Sequence, residues 1–176
     1  MLAPGQHISG WMTLEELDWL YQRAGEMKTI VEIGCWLGRS TFALCCGCPG
    51  KVYAVDHFQG SPDDENQLRM VAEGLQLFDQ FLHRLRDFAN LRVFPMPSVA
   101  AASSPLIPKE VDMVFIDGCH SYEAVIADLT LWAPRARTLV AGHDIDLTGV
   151  AEAVKDYYLA SPIHRGPEGL WYHGTV

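Results

Sequence analysis

Positive charge is scarce in this chain. Thirteen Lys and Arg stand against 22 Asp and Glu over 176 residues, a formal net charge of −9. Nucleic acid and anionic membranes are held by basic patches, so neither is expected as a partner. Long apolar runs are missing as well. None reaches the ~20 residues that a membrane-spanning helix needs. The first residues show no basic segment followed by an apolar one, so no export signal is expected. Five cysteines, Cys35, Cys45, Cys46, Cys48 and Cys119, are an odd number for a disulfide framework. They read as reduced thiols, which suits a cytoplasmic protein. Cys45-Cys46-x-Cys48 lacks the paired Cys-x-x-Cys units of a zinc module, so these thiols read as small apolar groups at a helix end. Repeats, low-complexity tracts and a domain linker are also absent. One domain is therefore expected over 1–176, with an arm and helix over 1–25 and a core from 29 to 176.

What is present begins with an apolar fraction of 49%, enough for a sizeable core. The organising stretch runs from Ile30 to Thr41. Ile30, Val31 and Ile33 read as a strand covered on both faces, as in a parallel sheet. Gly34 and Gly38 then permit a tight turn and a close ligand approach to the backbone. The helix that follows points its first N–H groups at that turn, which suits a carboxylate or phosphate. Asp56 ends the next apolar run, about 20 positions on, where an acid is placed to accept from ribose hydroxyls. A dinucleotide site would need Gly-x-Gly-x-x-Gly, and Trp36 stands where its middle glycine belongs. The pattern here is Glu32-x-Gly34-x-x-x-Gly38.

Thr13 and Glu16 have the spacing of a capping box for a helix through about Arg23, stopped at Gly25. Strand 29–35, helix 38–47 and strand 51–57 follow. Residues 57–66 read as a loop, and Leu68 to Leu85 as one long amphipathic helix ending near Phe88. Strands are expected at 91–96, 111–117 and 137–142, a short helix at 98–103, and helices after Ser121 and near 149–159. Two short strands around Ile163 and 170–172 end the chain. Strands alternating with helices mean an α/β domain with a mostly parallel sheet, helices on both faces, and ligands at the C-terminal strand edge. That edge gathers Asp117, His120, His143 and Asp144. Two carboxylates from neighbouring strands suit Mg²⁺, and an imidazole with a near-neutral pKa suits a general base. A neutral His143 ring is also a metal ligand, of a softer kind.

The glycine spacing resembles the first motif of class I S-adenosylmethionine-dependent methyltransferases. The resemblance sharpens over Asp117-Gly118-Cys119-His120-Ser121-Tyr122, Trp132-Ala133-Pro134, Gly142-His143-Asp144 and Gly149-Val150. These look like the family that includes sugar and macrolide O-methyltransferases and cephalosporin hydroxylase-like proteins, over roughly residues 10–160. The resemblance implies a Rossmann-like, mostly parallel seven-stranded sheet with an antiparallel C-terminal strand. It implies S-adenosylmethionine as cofactor, with Glu32, Gly34, Trp36, Gly38 and Ser40 around its methionine part. Asp56 would take the ribose, His57 or Phe58 would lie beside the adenine, and Ser98 would reach its amino group. Asp117 would be catalytic and touch the cofactor, His120 would be the base, and Asp117, His143 and Asp144 would hold Mg²⁺. His143 stands where metal-dependent members often carry a carboxylate.

The expected activity is O-methylation of a small hydroxylated molecule, a sugar or natural product. Metal-assisted and metal-free versions both remain open at this point. A nicotinamide-dependent oxidoreductase and a non-catalytic nucleoside-binding module are the competing readings. A second copy of the chain is a candidate partner, because a short chain leaves little material for a lid.

Overall fold

The computed structural model describes residues 3–159 and 161–175. Strand β1 (Thr29–Ile33) lies at the centre, and its last four residues are buried. Its β-branched side chains alternate between two apolar layers. Ile30 faces one layer, with Leu17 and Leu20 of α1 (Leu14–Ala24) and Leu44 of α2 (Arg39–Gly47). Val31 and Ile33 face the other, with Val125 and Leu129 of α6 (Tyr122–Trp132) and Val150 and Val154 of α7 (Thr148–Tyr158). Such two-sided burial is what an uninterrupted apolar strand demands.

The remaining strands are β2 (Lys51–Asp56), β3 (Leu91–Pro95), β4 (Val111–Ile116), β5 (Ala136–Gly142), β6 (His164–Arg165) and β7 (Trp171–Gly174). Among the described residues they form one seven-stranded sheet, in the order β3-β2-β1-β4-β5-β7-β6. The pairs from β3 to β5 are all parallel, and β7 runs against both β5 and β6. The order reverses at β1, between β2 and β4, and this opens the crevice of a doubly wound sheet.

Two expected boundaries move. Strand β1 ends at Ile33, not at residue 35, because Gly34 turns the chain at φ +84°. The long amphipathic stretch is two helices, α3 (Glu65–Ala72) and α4 (Leu77–Leu85), separated where Gly74 takes φ +99°. Helix α4 buries Leu77, Phe81 and Leu85, whereas α3 buries none of its residues. The short helix after β3 is α5 (Ser98–Ala101). The capping box forms: Thr13 Oγ1 accepts from the Glu16 N–H, and Glu16 Oε2 accepts from the Thr13 N–H. No described helix is long and apolar enough to cross a membrane.

Candidate functional site

Two adjoining cavities open at the C-terminal edge of the parallel strands. The first, about 220 Å³, runs from the ends of β1 and β4 toward the ends of β2 and β3. The second, about 170 Å³, lies over β4 and β5 and under the N-terminal arm. Gly34, Cys35, Trp36, Gln67, Asp117 and Gly118 line both, so they meet over β1 and β4. Three non-glycine residues with positive φ follow three strands at this edge: Trp36 (+46°), Phe58 (+56°) and Asp144 (+58°). Backbone strain of this kind collects where surrounding structure must hold a group in one orientation.

Each residue expected at the nucleoside side has a definite place. A Cβ on Gly34 would sit 2.1 Å from the Asp117 carbonyl oxygen, so glycine is required for β1 and β4 to end side by side. Gly38, at φ +91°, lines neither cavity; its missing Cβ would meet Leu85 of α4 at 2.8 Å. Gly38 thus seats a helix instead of admitting a ligand. Glu32 is fully enclosed and also lines neither cavity. Its Oε1 accepts from Ser40 Oγ at 2.6 Å, and Oε2 has no hydrogen-bond partner among the described residues. Burial pushes the Glu32 carboxyl up to about 7, against the opposing hydrogen bond from Ser40. Ser40 itself lines the second cavity.

Asp56 faces the first cavity and ties two turns together. Its Oδ2 accepts from the backbone N–H groups of Cys35 (2.8 Å) and Trp36 (2.9 Å), and Oδ1 accepts from Phe58 (2.6 Å). Trp36 lines both cavities and packs against Trp11, ring centroids 5.7 Å apart. His57 lies on the cavity rim, exposed. Phe58 does not reach the cavity; it is buried against Phe78 and Phe81. Ser98 lines the far end of the first cavity and donates to Asp128 Oδ1 at 2.5 Å.

Asp117, His120, His143 and Asp144 converge at the second cavity. Burial raises the Asp117 carboxyl to about 6, although the His143 charge opposes this. His120 is held on both sides: Nε2 lies 3.0 Å from Asp144 Oδ2 and Nδ1 lies 3.1 Å from Asp63 Oδ2. The His120 backbone N–H also donates to Asp63 Oδ2, at 2.8 Å. The hydrogen bond to Asp144 raises the His120 pKa above its usual value, against partial burial. Asp144 is also half-buried, yet His120 and His143 hold it well below the usual carboxylate range.

The structure separates the expected metal ligands. Donor atoms of Asp117, His120 and Asp144 lie within 4.8 Å of one another, and His143 is not among them. His143 instead has both nitrogens on carboxylates. Nε2 is 2.8 Å from Glu16 Oε1, and Nδ1 is 3.1 Å from Asp144 and 3.6 Å from Asp117. Burial alone would lower its pKa, but hydrogen bonds to Asp144 and Glu16 raise it to about 11. Its two carboxylate partners thus favour the protonated ring, which has no lone pair to offer a metal.

Three functional-edge residues escaped the sequence reading. Asp63 lies within the loop expected over 57–66, and its partner is 57 positions away. Glu16 was legible as a cap, but its second oxygen reaches 127 residues along the chain. Asp128 carried a signal: it lies three residues after Val125 and four before Trp132, on the buried stripe of α6. A carboxylate on an apolar stripe calls for an explanation.

A family model described as a methyltransferase domain matches residues 31–145. Among curated proteins, the uncharacterized protein y4gI of Sinorhizobium fredii (strain NBRC 101917 / NGR234) is 24% identical over 157 residues, 85% of this chain and 17% of the relative. The chain thus spans about a sixth of that relative's length. The SAH-bound methyltransferase PaMTH1 of Podospora anserina superposes with a TM-score of 0.64 at 12% identity, covering 95% of this chain and 80% of that one. The O-methyltransferase TomG from Streptomyces achromogenes, involved in tomaymycin synthesis and solved with SAM, gives 0.60 at 14% identity, covering 94% and 82%. At these identities the likeness shows a shared fold.

Proposed function

Because the chain belongs to the methyltransferase-domain family, we propose that it moves the methyl group of S-adenosylmethionine to a hydroxyl of a small molecule. One observation carries this reading. The turn pinned by Asp56 adjoins the Asp117–His120–Asp144 cluster, so the cavity floored by Asp56 and a cavity lined by ionisable groups share one mouth. The solved structures of PaMTH1 and TomG hold SAH and SAM, and the first cavity is the candidate site for the same ligand here. Asp56 and Ser98 would face its nucleoside, and Gly34 and Gly118 would face its sulfonium.

The acceptor occupies the second cavity, beside Trp11 and Trp36. Its oxygen attacks the methyl carbon, the C–S bond breaks, and S-adenosylhomocysteine leaves. Neutral His120 takes the hydroxyl proton on Nε2, the hydroxyl displacing Asp144 Oδ2 from its 3.0 Å contact with that nitrogen. Asp63 keeps Nδ1 protonated and fixes the ring, as a carboxylate does for a catalytic imidazole. Alignment of oxygen and methyl supplies the larger share of the acceleration.

Mg²⁺ does not fit these residues. The cluster mixes an imidazole with two carboxylates, where a hard cation wants oxygen. His143, whose protonated form its carboxylate partners favour, already sits 3.1 Å from Asp144 and competes with a dication there. The proposed reaction is therefore metal-independent. The test is methyl transfer from labelled S-adenosylmethionine to a panel of small polyols and phenols, with and without EDTA. Activity that survives EDTA and falls about 10²–10⁴-fold in His120→Ala supports the mechanism. EDTA-sensitive activity that tolerates His120→Ala removes it. Stabilisation by NAD and not by S-adenosylhomocysteine removes the cofactor assignment.

A further inference from the structure

The N-terminal arm reaches the second cavity through Gly10, Trp11 and Met12. One side chain straps it there. Arg39, the first residue of α2, donates from Nη1 to the Gln6 and Ile8 carbonyls (3.0 and 2.5 Å) and from Nε to the Met12 carbonyl (3.0 Å). Gly10 lies close on the same side chain: a Cβ there would meet Arg39 Cδ at 2.9 Å. These guanidinium donors are spent on backbone carbonyls of the arm.

The strapped arm leaves one large side chain out. Ile8 and Met12 are buried, whereas Trp11 between them is 59% exposed. Its indole packs on Trp36, with the rings tilted 49° and their centroids 5.7 Å apart. Trp36 is itself held at φ +46°, a conformation that a bulky side chain adopts only under constraint. Two indoles are thus brought together on the wall of a cavity, where a ligand with apolar surface of its own would cover them. The rest of that wall is acidic. Asp64, Asp117 and Asp144 line the cavity, Asp63 stands behind His120, and Glu16 stands behind His143. A field of this sign disfavours a carboxylate or phosphate on the ligand.

We propose that Trp11 selects the methyl acceptor by stacking its indole on a ring of a molecule that carries no negative charge, and that Arg39 is the positioning residue that holds Trp11 at the cavity. An aromatic ring and the C–H face of a saturated, hydroxylated ring both offer an indole a flat apolar partner. Stacking fixes the plane of the ring, which limits how a hydroxyl on its edge meets His120 and the methyl group. This rests on the S-adenosylmethionine reading of the site.

Methyl transfer from labelled S-adenosylmethionine to catechol, myo-inositol and mannitol tests it. Mannitol carries as many hydroxyls as myo-inositol, on an open chain. Each ring compound is run beside its anionic counterpart, protocatechuate or myo-inositol phosphate. The wild-type chain should use catechol or myo-inositol about 10-fold better than mannitol by kcat/KM, and better than the anionic counterpart. Which ring is used tells an aromatic acceptor from a sugar-like one. Trp11→Ala should raise KM for that ring compound about 10-fold with kcat nearly kept, and leave mannitol unaffected. Trp11→Phe should recover most of the loss. Arg39→Lys keeps the charge but presents one nitrogen where Arg39 reaches three carbonyls from two. It should speed amide hydrogen exchange over residues 5–12 and raise the same KM.

Trp11→Ala that weakens ring and open-chain acceptors alike, or neither, overturns the assignment of Trp11. Arg39→Lys that frees the arm without raising KM overturns the role of Arg39. Wild-type protein that prefers mannitol or an anionic counterpart overturns the acceptor class, and this is decided even if a variant does not fold. So does wild-type protein that binds S-adenosylhomocysteine yet methylates none of these compounds. Wild-type protein that does not bind S-adenosylhomocysteine overturns the cofactor reading itself.

Discussion

Glu32 is enclosed between β1 and α2 with one oxygen on Ser40 and the other unpaired among the described residues. Burial raises its carboxyl from the ordinary 4.5 to about 7. Between those values the folded chain holds a proton that the unfolded chain has released, so this group makes stability fall as pH rises. The loss begins near pH 4.5, is complete just above pH 7, and amounts to about 1–3 kcal/mol. Glu32→Gln keeps the hydrogen bond from Ser40 without the titration. It should therefore gain stability over wild type between pH 5 and pH 8, and match it most closely at pH 5. Urea melts at both values check this. A constant gap at the two pH values would mean that Glu32 is solvated. The glycines divide in the same residue-by-residue way. Gly34→Ala would drive a methyl into the Asp117 carbonyl at 2.1 Å, while Gly38→Ala would press on Leu85 at 2.8 Å. Both also carry positive φ. Gly38→Ala should cost about 1–3 kcal/mol and leave S-adenosylhomocysteine affinity near wild type, since it lines no cavity. Gly34→Ala should be clearly worse by thermal melt, because β1 and β4 can no longer end side by side. A large affinity loss in a folded Gly38→Ala protein would return Gly38 to the ligand site.

At the level of elements, α3 and the loop before it differ from the rest of the fold. Helix α3 buries no residue, and Asp63 crosses to His120 from its N-terminal side. Few buried contacts mean low local stability, so this segment opens ahead of the core. Asp63→Ala should speed amide hydrogen exchange over residues 57–72, with a change in global stability of at most ~1 kcal/mol, as for other partly exposed pairs. Unchanged exchange there would mean that Asp63 does not hold the segment. The sequence reading failed most at this segment, for a physical reason. Periodicity reports which face of a helix is apolar, and Leu68 to Leu85 keep that period through Gly74. It does not report whether that face finds a partner, and only α4 does. The β-branched runs behaved differently. Ile30–Val31 and Val111 to Ile116 are legible as buried strands because burial on both faces admits few other patterns. Strand polarity then places Asp117, His120, His143 and Asp144 at one edge without any distance being known. Which of those four pair with each other was not legible, because pairing depends on Glu16 and Asp63, from elements remote in sequence.

Across the whole molecule, these contacts form one chain of charges. Glu16 of α1 meets His143 after β5, His143 meets Asp144, Asp144 meets His120 after β4, and His120 meets Asp63 beside α3. The N-terminal helix, the sheet edge and the exposed segment are thus coupled through the proposed base. In a chain of net charge −9, this arrangement sets two imidazoles among acids and favours their protonated forms. That has a consequence for the rate. Only neutral His120 accepts a proton, and the folded protein holds its pKa above the ordinary 6.5, chiefly through Asp144. Methyl transfer should therefore rise as pH rises through that elevated value, with its midpoint above the ordinary 6.5. Asp144→Asn removes the main cause while keeping the side-chain size. His120 should then lose its proton more easily, and the midpoint of the pH–rate profile should move toward lower pH. Asp63→Asn should move it the same way by less, since Asp63 is a weaker contributor than Asp144. Single-turnover rates from pH 5.5 to 9.5 separate these shifts from changes in binding. A profile whose midpoint ignores both substitutions would place the titrating group elsewhere than His120. A midpoint that moves upward in Asp144→Asn would mean that Asp144 favours the neutral ring, the reverse of the electrostatics drawn from its contacts.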